Sequence, residues 1–174
     1  MKVISLVGPS DSGKTTLVEE LVPRLTDDET RVGTVKSIHH DIEIDTPGAD
    51  THRHRTAGAE TVVGITPELT FEISSQGKRE PPAVPDSVAE RLEDDPEQQA
   101  LGAALARLER RGYDIVLVEG FTAAPLPTIL VGERSPADVG GSVLGHRDDG
   151  LEALVEAITS LEAWDEKGAS STSE

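Results

Sequence analysis

The chain has 174 residues, a length typical of one compact domain that can bury a core without further cross-links. It contains no cysteine, which excludes disulfides and thiolate metal sites. Its formal net charge of −17 argues against a basic surface, so we expect neither nucleic-acid nor membrane binding. No signal-peptide pattern and no bilayer-length apolar run occurs, and we therefore expect a cytoplasmic protein.

The excess of acid also fits adaptation to concentrated salt. Acidic residues number 33 against 16 basic ones, and salt screens the resulting self-repulsion at short range. Regularly spaced apolar strands argue against general disorder. We therefore expect a halophilic source, with an ordinary acidic cytosolic protein as the alternative.

Strands and helices alternate along most of the chain. The apolar patterns predict strands at 2–7, 31–36, 60–65, 69–73, 114–118 and 127–131, and helices at 14–25, 51–59, 96–111 and 151–161. This order predicts an α/β fold with three layers, in which helices flank a mostly parallel sheet. The strands at 60–65 and 69–73 predict a hairpin, which would make the sheet mixed.

A complete phosphate-binding loop joins the first predicted strand to the first predicted helix. Residues 8–15 match the pattern G-x-x-x-x-G-K-[ST] without substitution. Loop amides and a helix N-terminus attract anions, Lys14 suits the outer phosphates, and the Thr15 hydroxyl can bind magnesium. The pattern predicts a P-loop NTPase fold that binds a nucleoside triphosphate with Mg²⁺ through Gly8, Pro9, Ser10, Asp11, Ser12, Gly13, Lys14, Thr15 and Thr16.

One member of this loop, Asp11, carries a negative charge in a site built for anions. Aspartate tolerates left-handed backbone angles better than most residues, so its placement can be conformational. Its carboxylate could also weaken phosphate binding. Both interpretations stay open at this point.

We interpret residues 1–163 as a single nucleotide-binding domain. Residues 74–95 are polar, acidic and proline-rich, which predicts a mobile surface loop. Residues 164–174 are predicted to form a flexible tail.

The strand at 114–118 is apolar after its first residue and leads into an acid, Glu119. In phosphate-loop proteins a strand beside the first one often delivers an acid near the metal. Gly120 leaves room beside that acid. Glu119 is therefore a candidate for the magnesium edge together with Thr15, and the alternative is a surface acid after a buried strand.

Residues 36–59 concentrate polar and charged groups, including four of the five histidines. Arg53 and Arg55 could clamp phosphate groups, and Asp45 could hold a metal-bound water. The remaining candidates, for contact with a polar substrate, are His39, His40 and Asp41. A structural metal site and a polar loop with incidental histidines are the alternatives.

Several motifs occur together and in order. They are the phosphate loop, His39-His40-Asp41, Asp-Thr-Pro-Gly-Ala-Asp-Thr at 45–51, Arg-Thr-Ala-Gly-Ala at 55–59 and Leu-Val-Glu-Gly-Phe at 117–121. In this order the chain resembles, over residues 1–131, the family of molybdopterin-guanine dinucleotide biosynthesis adapter proteins. Thr122 departs from the pattern, since many members of that family carry a lysine there.

The resemblance implies a GTP-binding protein with weak GTPase activity, usually a homodimer. It would work beside the guanylyltransferase that joins GMP to molybdopterin. Lys14, Asp45 and Glu119 would then be catalytic, with Thr15, Asp45 and Glu119 at the metal, and the segment from His39 to Arg55 would face the phosphates or molybdopterin. The chain has no asparagine, so it lacks the Asn-Lys-x-Asp element that reads guanine. GTP is inferred from the resemblance alone, and ATP stays open.

Three other functions fit the same motifs. A small-molecule kinase would use the histidine-rich segment to hold an acceptor hydroxyl. A non-catalytic dimeric carrier would bind nucleotide or molybdopterin without turnover. A GTPase that delivers nickel would explain the histidines, although the lack of cysteine disfavours it.

Overall fold

The computed structural model of the chain describes residues 1–164. The strands are β1 (Lys2–Val7), β2 (Val32–Lys36), β3 (Thr61–Ile65), β4 (Thr70–Ser74), β5 (Ile115–Glu119), β6 (Thr128–Leu130) and β7 (Val143–His146). The helices are α1 (Lys14–Leu25), α2 (Asp50–Thr56), α3 (Asp86–Ala89), α4 (Pro96–Arg110) and α5 (Leu151–Thr159).

Five of the strands form one sheet in the order β2-β5-β1-β6-β7, and each neighbouring pair is parallel. The predicted α/β class, with a mostly parallel sheet flanked by helices, is confirmed. β1 runs through the centre, and its residues from Val3 to Val7 are all buried. A strand covered on both faces needs apolar side chains in succession, which explains the continuous run in the sequence.

The predicted hairpin exists, but the expectation that it makes the sheet mixed is wrong. β3 and β4 pair antiparallel in a separate two-stranded sheet. Along β3, Val62 and Gly64 are buried while Val63 and Ile65 are exposed. A strand with only one covered face cannot replace a central strand of the main sheet, where both faces are packed.

The core has two parts, one on each face of the main sheet. On one face Ile4 and Leu6 of β1 pack with the leucines of α1, Leu17 and Leu21, and with α5. On the opposite face α4 supplies further apolar side chains, which meet Val3 of β1 and the alternate residues of β5. This layering fixes the strand ends relative to α1.

Two described segments have more structure than their composition suggests. The predicted loop at 74–95 contains the short helix α3, whose Val88 is buried. β7 and the 3₁₀ turns Pro136–Asp138 and Arg147–Asp149 lie in a glycine-rich stretch that predicted no element. β7 has only four residues, one of them glycine, which is too short for a periodic pattern to emerge.

The last described residue, Trp164, lies beside the first residue, Met1. The backbone amide of Trp164 donates a hydrogen bond to the carbonyl oxygen of Met1 at 2.7 Å. The Trp164 side chain packs against the α4 side of the core. Of the predicted tail, residues 165–174 lie outside the described part of the chain. Within residues 1–164, no helix is long and apolar enough to cross a membrane.

The parallel strands bring their carboxyl ends to one edge of the sheet. There β1 leads into the phosphate loop, with β5 on one side of it and β6 on the other. In open α/β sheets this edge, where the strand connections diverge, is the usual place for a ligand.

Candidate functional site

The phosphate loop has the backbone geometry that its sequence predicts. Gly13 adopts φ +92°, and Asp11 adopts φ +59°. The left-handed angle at Asp11 supports the conformational interpretation of that residue. A β-carbon on Gly8 would lie 2.0 Å from the carbonyl oxygen of Val131, so the loop can run this close to the end of β6 only with glycine there.

Lys14 lies folded over its own loop. Its ammonium donates hydrogen bonds to the carbonyl oxygens of Gly8 at 3.0 Å and Pro9 at 2.5 Å. The hydroxyl of Ser12 is buried and has no hydrogen-bond partner within residues 1–164. A cation bonded to neutral carbonyl oxygens and an unsatisfied hydroxyl in one loop suit an anionic ligand, which would give the first a charged partner and the second a hydrogen bond.

Thr15 and Glu119, which the sequence predicts at the magnesium edge, are in contact. The Thr15 hydroxyl donates to the Glu119 carboxylate, with oxygen–oxygen distances of 3.1 and 3.2 Å. Lys36 joins them, with its ammonium 2.9 Å from Glu119 and 3.4 Å from the Thr15 oxygen. Strand register explains the meeting, because Lys36 and Leu6 are the partners of Glu119 on its two neighbouring strands.

This cluster fits magnesium and a triphosphate chemically. Hydroxyl and carboxylate oxygens are the hard ligands that Mg²⁺ prefers, either directly or through water. The Lys36 ammonium already occupies a position between the two oxygens, which shows that the site favours positive charge. Both loop glycines are packed closely, since a β-carbon on Gly8 would meet the Val131 carbonyl oxygen and one on Gly13 would meet the Arg147 guanidinium.

Asp45 lies in a different cluster. One of its carboxylate oxygens accepts hydrogen bonds from the Thr46 amide at 2.8 Å and the Thr51 hydroxyl at 3.1 Å. Its other oxygen is buried without a partner in the described part of the chain. No hydrogen bond or ion pair joins it to Thr15 or Glu119 among residues 1–164, so the structure does not assemble the three predicted metal residues.

The two candidate phosphate clamps have acidic partners of their own. Arg55 contacts both carboxylate oxygens of Glu43 at 2.6 Å, whereas Arg53 is exposed and lies 3.4 Å from Asp50. The pKa of Glu43 is lowered, first by a hydrogen bond from the Asp45 amide and then by Arg55. The Glu43 carboxylate therefore holds Arg55 in a structural contact next to Asp45.

His39, His40 and Asp41 line a cleft of about 670 Å³ beside the phosphate loop. Lys36 forms part of the same wall, so the cleft continues from the Thr15–Glu119 pair. Its other charged lining residues are Lys78, Arg79, Glu80 and Glu97. Asp41 pairs with Arg79 at 3.1 Å. The predicted substrate-contacting residues thus share one polar cavity.

The floor of this cleft is a cluster that the sequence did not reveal. The Lys78 ammonium lies 2.6 Å from Glu97 and donates to the Ser37 hydroxyl at 2.5 Å, and Ser37 donates to Glu97 at 2.9 Å. The pKa of Glu97 is lowered, chiefly by the hydrogen bond from Lys78. These residues come from three distant segments, so no local pattern indicates their meeting.

A second residue that the sequence did not reveal is Arg147. Its guanidinium donates to the carbonyl oxygen of Gly13 in the phosphate loop at 3.2 Å. It follows β7, which was not predicted, and the glycine-rich stretch around it gave no signal. Of histidine and acidic side chains within residues 1–164, no group of three or more is arranged to hold a metal ion.

A phosphate loop between a central parallel strand and a helix, with an acid on the neighbouring strand facing its threonine, defines a P-loop NTPase fold. A profile of the family described as "Molybdopterin guanine dinucleotide synthesis protein B" matches residues 3–154. The chain belongs to this family.

Curated relatives carry corresponding names. The chain is 30% identical over 129 residues to a molybdopterin-guanine dinucleotide biosynthesis adapter protein of Haemophilus influenzae, covering 74% of this chain and 62% of the relative. It is 32% identical over 122 residues to the protein of that name in Escherichia coli, covering 70% and 60%. The chain therefore spans about 60% of the length of these relatives.

The fold is shared with solved structures. One described as "molybdopterin-guanine biosynthesis protein B" superposes with a TM-score of 0.60 at 25% identity, covering 92% of this chain and 99% of that one. The superposition therefore covers most of the chain.

Proposed function

We propose that this protein is a GTP-binding adapter in the biosynthesis of molybdopterin guanine dinucleotide. It assists the guanylyltransferase that joins GMP to molybdopterin, and it hydrolyses GTP weakly. The observation that supports this most is the cluster of Thr15, Glu119 and Lys36 beside a complete phosphate loop, in a chain of this family. The names of its relatives supply the pathway.

In this proposal the phosphates lie along the loop amides and the N-terminus of α1. Lys14 moves from the Gly8 and Pro9 carbonyl oxygens to the outer phosphates, exchanging neutral acceptors for charged ones. Thr15 and Glu119 hold magnesium, which when bound neutralises charge on the outer phosphates. Asp45 would act from its own cluster by orienting water, which requires the 36–59 segment to move toward the loop.

Slow turnover is expected from the same arrangement. Phosphoryl transfer depends on positive charge placed at the outer phosphates. Arg55 is held by Glu43, and Arg53 is paired with Asp50 at the surface. Neither of these two arginines is placed at the phosphate loop, so neither provides the fast step of an arginine finger.

The cleft beside Lys36 supports a second ligand next to the outer phosphates. Its histidines, its hydroxyl-bearing Ser75 and its lysines suit a polar, anionic molecule such as molybdopterin. The same cleft would also suit the acceptor of a small-molecule kinase, which is the alternative function. Release of ADP that depends on an added acceptor would favour the kinase, and hydrolysis without an acceptor would count against it.

The first test is calorimetric titration with GTP, and separately with ATP, in magnesium and high salt. We expect GTP to bind more tightly. Lys14→Ala should abolish triphosphate binding and leave the fold intact, because its ammonium contacts only loop carbonyl oxygens. Lys2→Ala, at the other end of β1, is the matched control and should bind normally. Preference for ATP would favour the kinase, and normal affinity in Lys14→Ala would refute the site.

We also propose that the protein is a homodimer joined through its hairpin. Ile65 is 81% and Leu69 is 69% exposed, an apolar surface that monomers seldom leave uncovered. β3 and β4 pair only with each other in the described sheets, so their outer edges are open to a second copy.

Sedimentation equilibrium tests the dimer. Ile65→Asp should weaken self-association by at least about tenfold, since it places a charge in an apolar contact. Thr61→Asp, on the same face of β3, adds the same charge where the side chain is already polar, and should change less. A monomeric unmodified protein at high concentration would contradict this proposal.

A further inference from the structure

Arg147 connects the far flank of the sheet to the phosphate loop. It is the first residue of the 3₁₀ turn Arg147–Asp149, directly after β7. Its Nη1 lies 3.2 Å from the Gly13 carbonyl oxygen, and its Nη2 lies 3.8 Å from the Glu20 carboxylate on α1. The side chain is 33% exposed, so part of the guanidinium faces solvent beside the loop.

The contact falls where the loop becomes helix α1. The Gly13 carbonyl oxygen also accepts the helical hydrogen bond from the Leu17 amide at 3.0 Å. A β-carbon on Gly13 would lie 2.1 Å from Arg147 Nη1, so the guanidinium packs directly on the backbone there. The next amide in the chain is that of Lys14, one of the donors that a phosphate would use.

Different side chains lie on the two sides of the phosphate loop. Thr15, Glu119 and Lys36 lie on the side of β5 and β2, and they attract magnesium and the outer phosphates. A nucleotide anchored there must extend its inner phosphate and nucleoside away from that cluster. The other flank is formed by the ends of β6 and β7, where Arg147 lies.

We propose that Arg147 is a further nucleotide-binding residue, which contacts the phosphate nearest the nucleoside. This inference rests on the proposed nucleotide binding. A guanidinium has five N–H donors, so Arg147 can keep its bond to Gly13 and donate to a phosphate oxygen as well. Glu20, on the second turn of α1, lies 3.8 Å from the other terminal nitrogen of the guanidinium. Because this phosphate is present in GTP and in GDP, both ligands should depend on Arg147 equally.

The test compares Arg147→Ala, Arg147→Gln and Arg147→Lys by calorimetric titration with GTP and with GDP in magnesium. Arg147→Ala should lose about tenfold in affinity for both ligands, as expected for a charge-assisted contact. Arg147→Gln can still donate to Gly13 but has no charge, and it should lose nearly as much. Arg147→Lys keeps the charge and should recover part of the affinity. Arg110→Gln, an exposed arginine on α4, is the control for the charge change.

Thermal unfolding of each ligand-free variant shows whether the loop still folds. Full affinity in Arg147→Gln would mean that the residue only supports the loop backbone, and would overturn the inference. A loss confined to GTP would place Arg147 at the outermost phosphate and would also overturn it. If the unmodified chain bound neither ligand, the proposed function would fail together with the inference, whereas unchanged affinity in Arg147→Ala would refute the inference alone.

Discussion

At the scale of single residues, the site depends on charges that meet at strand ends. Glu119 is mostly buried, with 14% of its side chain exposed, and its neighbours are the Thr15 hydroxyl and the Lys36 ammonium. A mostly buried carboxylate needs hydrogen bonds or a nearby cation to offset the loss of water. Lys36 is the cation closest to Glu119 in the structure, and magnesium would compete with it in the proposed complex.

Glu119→Gln tests this arrangement. The amide can still bond to Thr15 but lacks the charge that attracts magnesium. The magnesium concentration needed for half-maximal GTP binding should therefore rise about tenfold, as is usual when a group supporting a metal is altered. Glu152→Gln, an exposed acid on α5, should leave that concentration unchanged. Identical magnesium dependence in Glu119→Gln and the unmodified protein would remove Glu119 from the metal edge.

Site residues could be predicted from the sequence where they belong to a local motif. The phosphate loop includes its own strand and helix context, and Glu119 follows a strand that any parallel sheet would place near β1. The position of Lys36 could have been predicted in the same way, since Lys36 is the last residue of the neighbouring strand β2. Arg147 was not, because its contact with Gly13 spans 134 positions and follows a strand too short to predict.

At the scale of elements, hydrogen bonds join the first turn of α4 to the end of β2. Glu97, in that turn, accepts hydrogen bonds from Lys78 and from Ser37, which directly follows β2. Asp95 caps the helix by accepting from the Glu97 amide at 3.0 Å. These contacts form the floor of the cleft beside the phosphate loop.

The lowered pKa of Glu97 gives this junction a pH dependence. A carboxyl with a depressed pKa in the folded state stabilises the fold above its unfolded pKa, whose ordinary value is 4.5, and loses that contribution as the pH falls through the folded value. The difference in unfolding free energy between the unmodified protein and Glu97→Gln should therefore be largest near neutral pH and shrink as the pH falls below the ordinary value of 4.5.

Urea unfolding across that pH range measures this difference. Lys78→Gln removes the other partner and should follow the same trend. Arg110→Gln, on the same helix but away from the junction, should give a difference that stays nearly constant with pH. A difference for Glu97→Gln that did not shrink in acid would show that the ion pair does not stabilise the junction.

Elements were predictable in proportion to their length and periodicity. α1, α4 and α5 carry apolar stripes that place them unambiguously, β1 is apolar from Val3 to Val7 apart from Ser5, and β5 is apolar up to Glu119. The hairpin was predictable as a pair of strands but not as a separate sheet, because pairing partners at long range leave no local trace. α3 is too short to stand out from the polar segment around it.

At the scale of the whole molecule, the dominant property is a net charge of −17 on 174 residues. Most acids lie at the surface, while the core is apolar apart from a few hydroxyl and amide side chains. Repulsion among these acids opposes the compact state. Close to the candidate phosphate position the local charge is set instead by Lys14 and Lys36, which lie beside it. Screening of these charges by salt should therefore change the stability of the fold more than it changes ligand binding at the site.

Raising sodium chloride from about 0.1 M to about 1 M shortens the screening length from roughly 10 Å to roughly 3 Å. The melting temperature should rise, since repulsion between surface acids is then confined to immediate neighbours. The matched variant replaces four exposed acids that have no ion pair in the described part of the chain, Asp28, Glu29, Glu152 and Glu156, by their amides. It has four fewer negative charges, −13 instead of −17, and its melting temperature should rise less with salt. Equal salt responses in the two proteins would show a general effect of salt on apolar burial, and the prediction of a halophilic source would lose its physical basis.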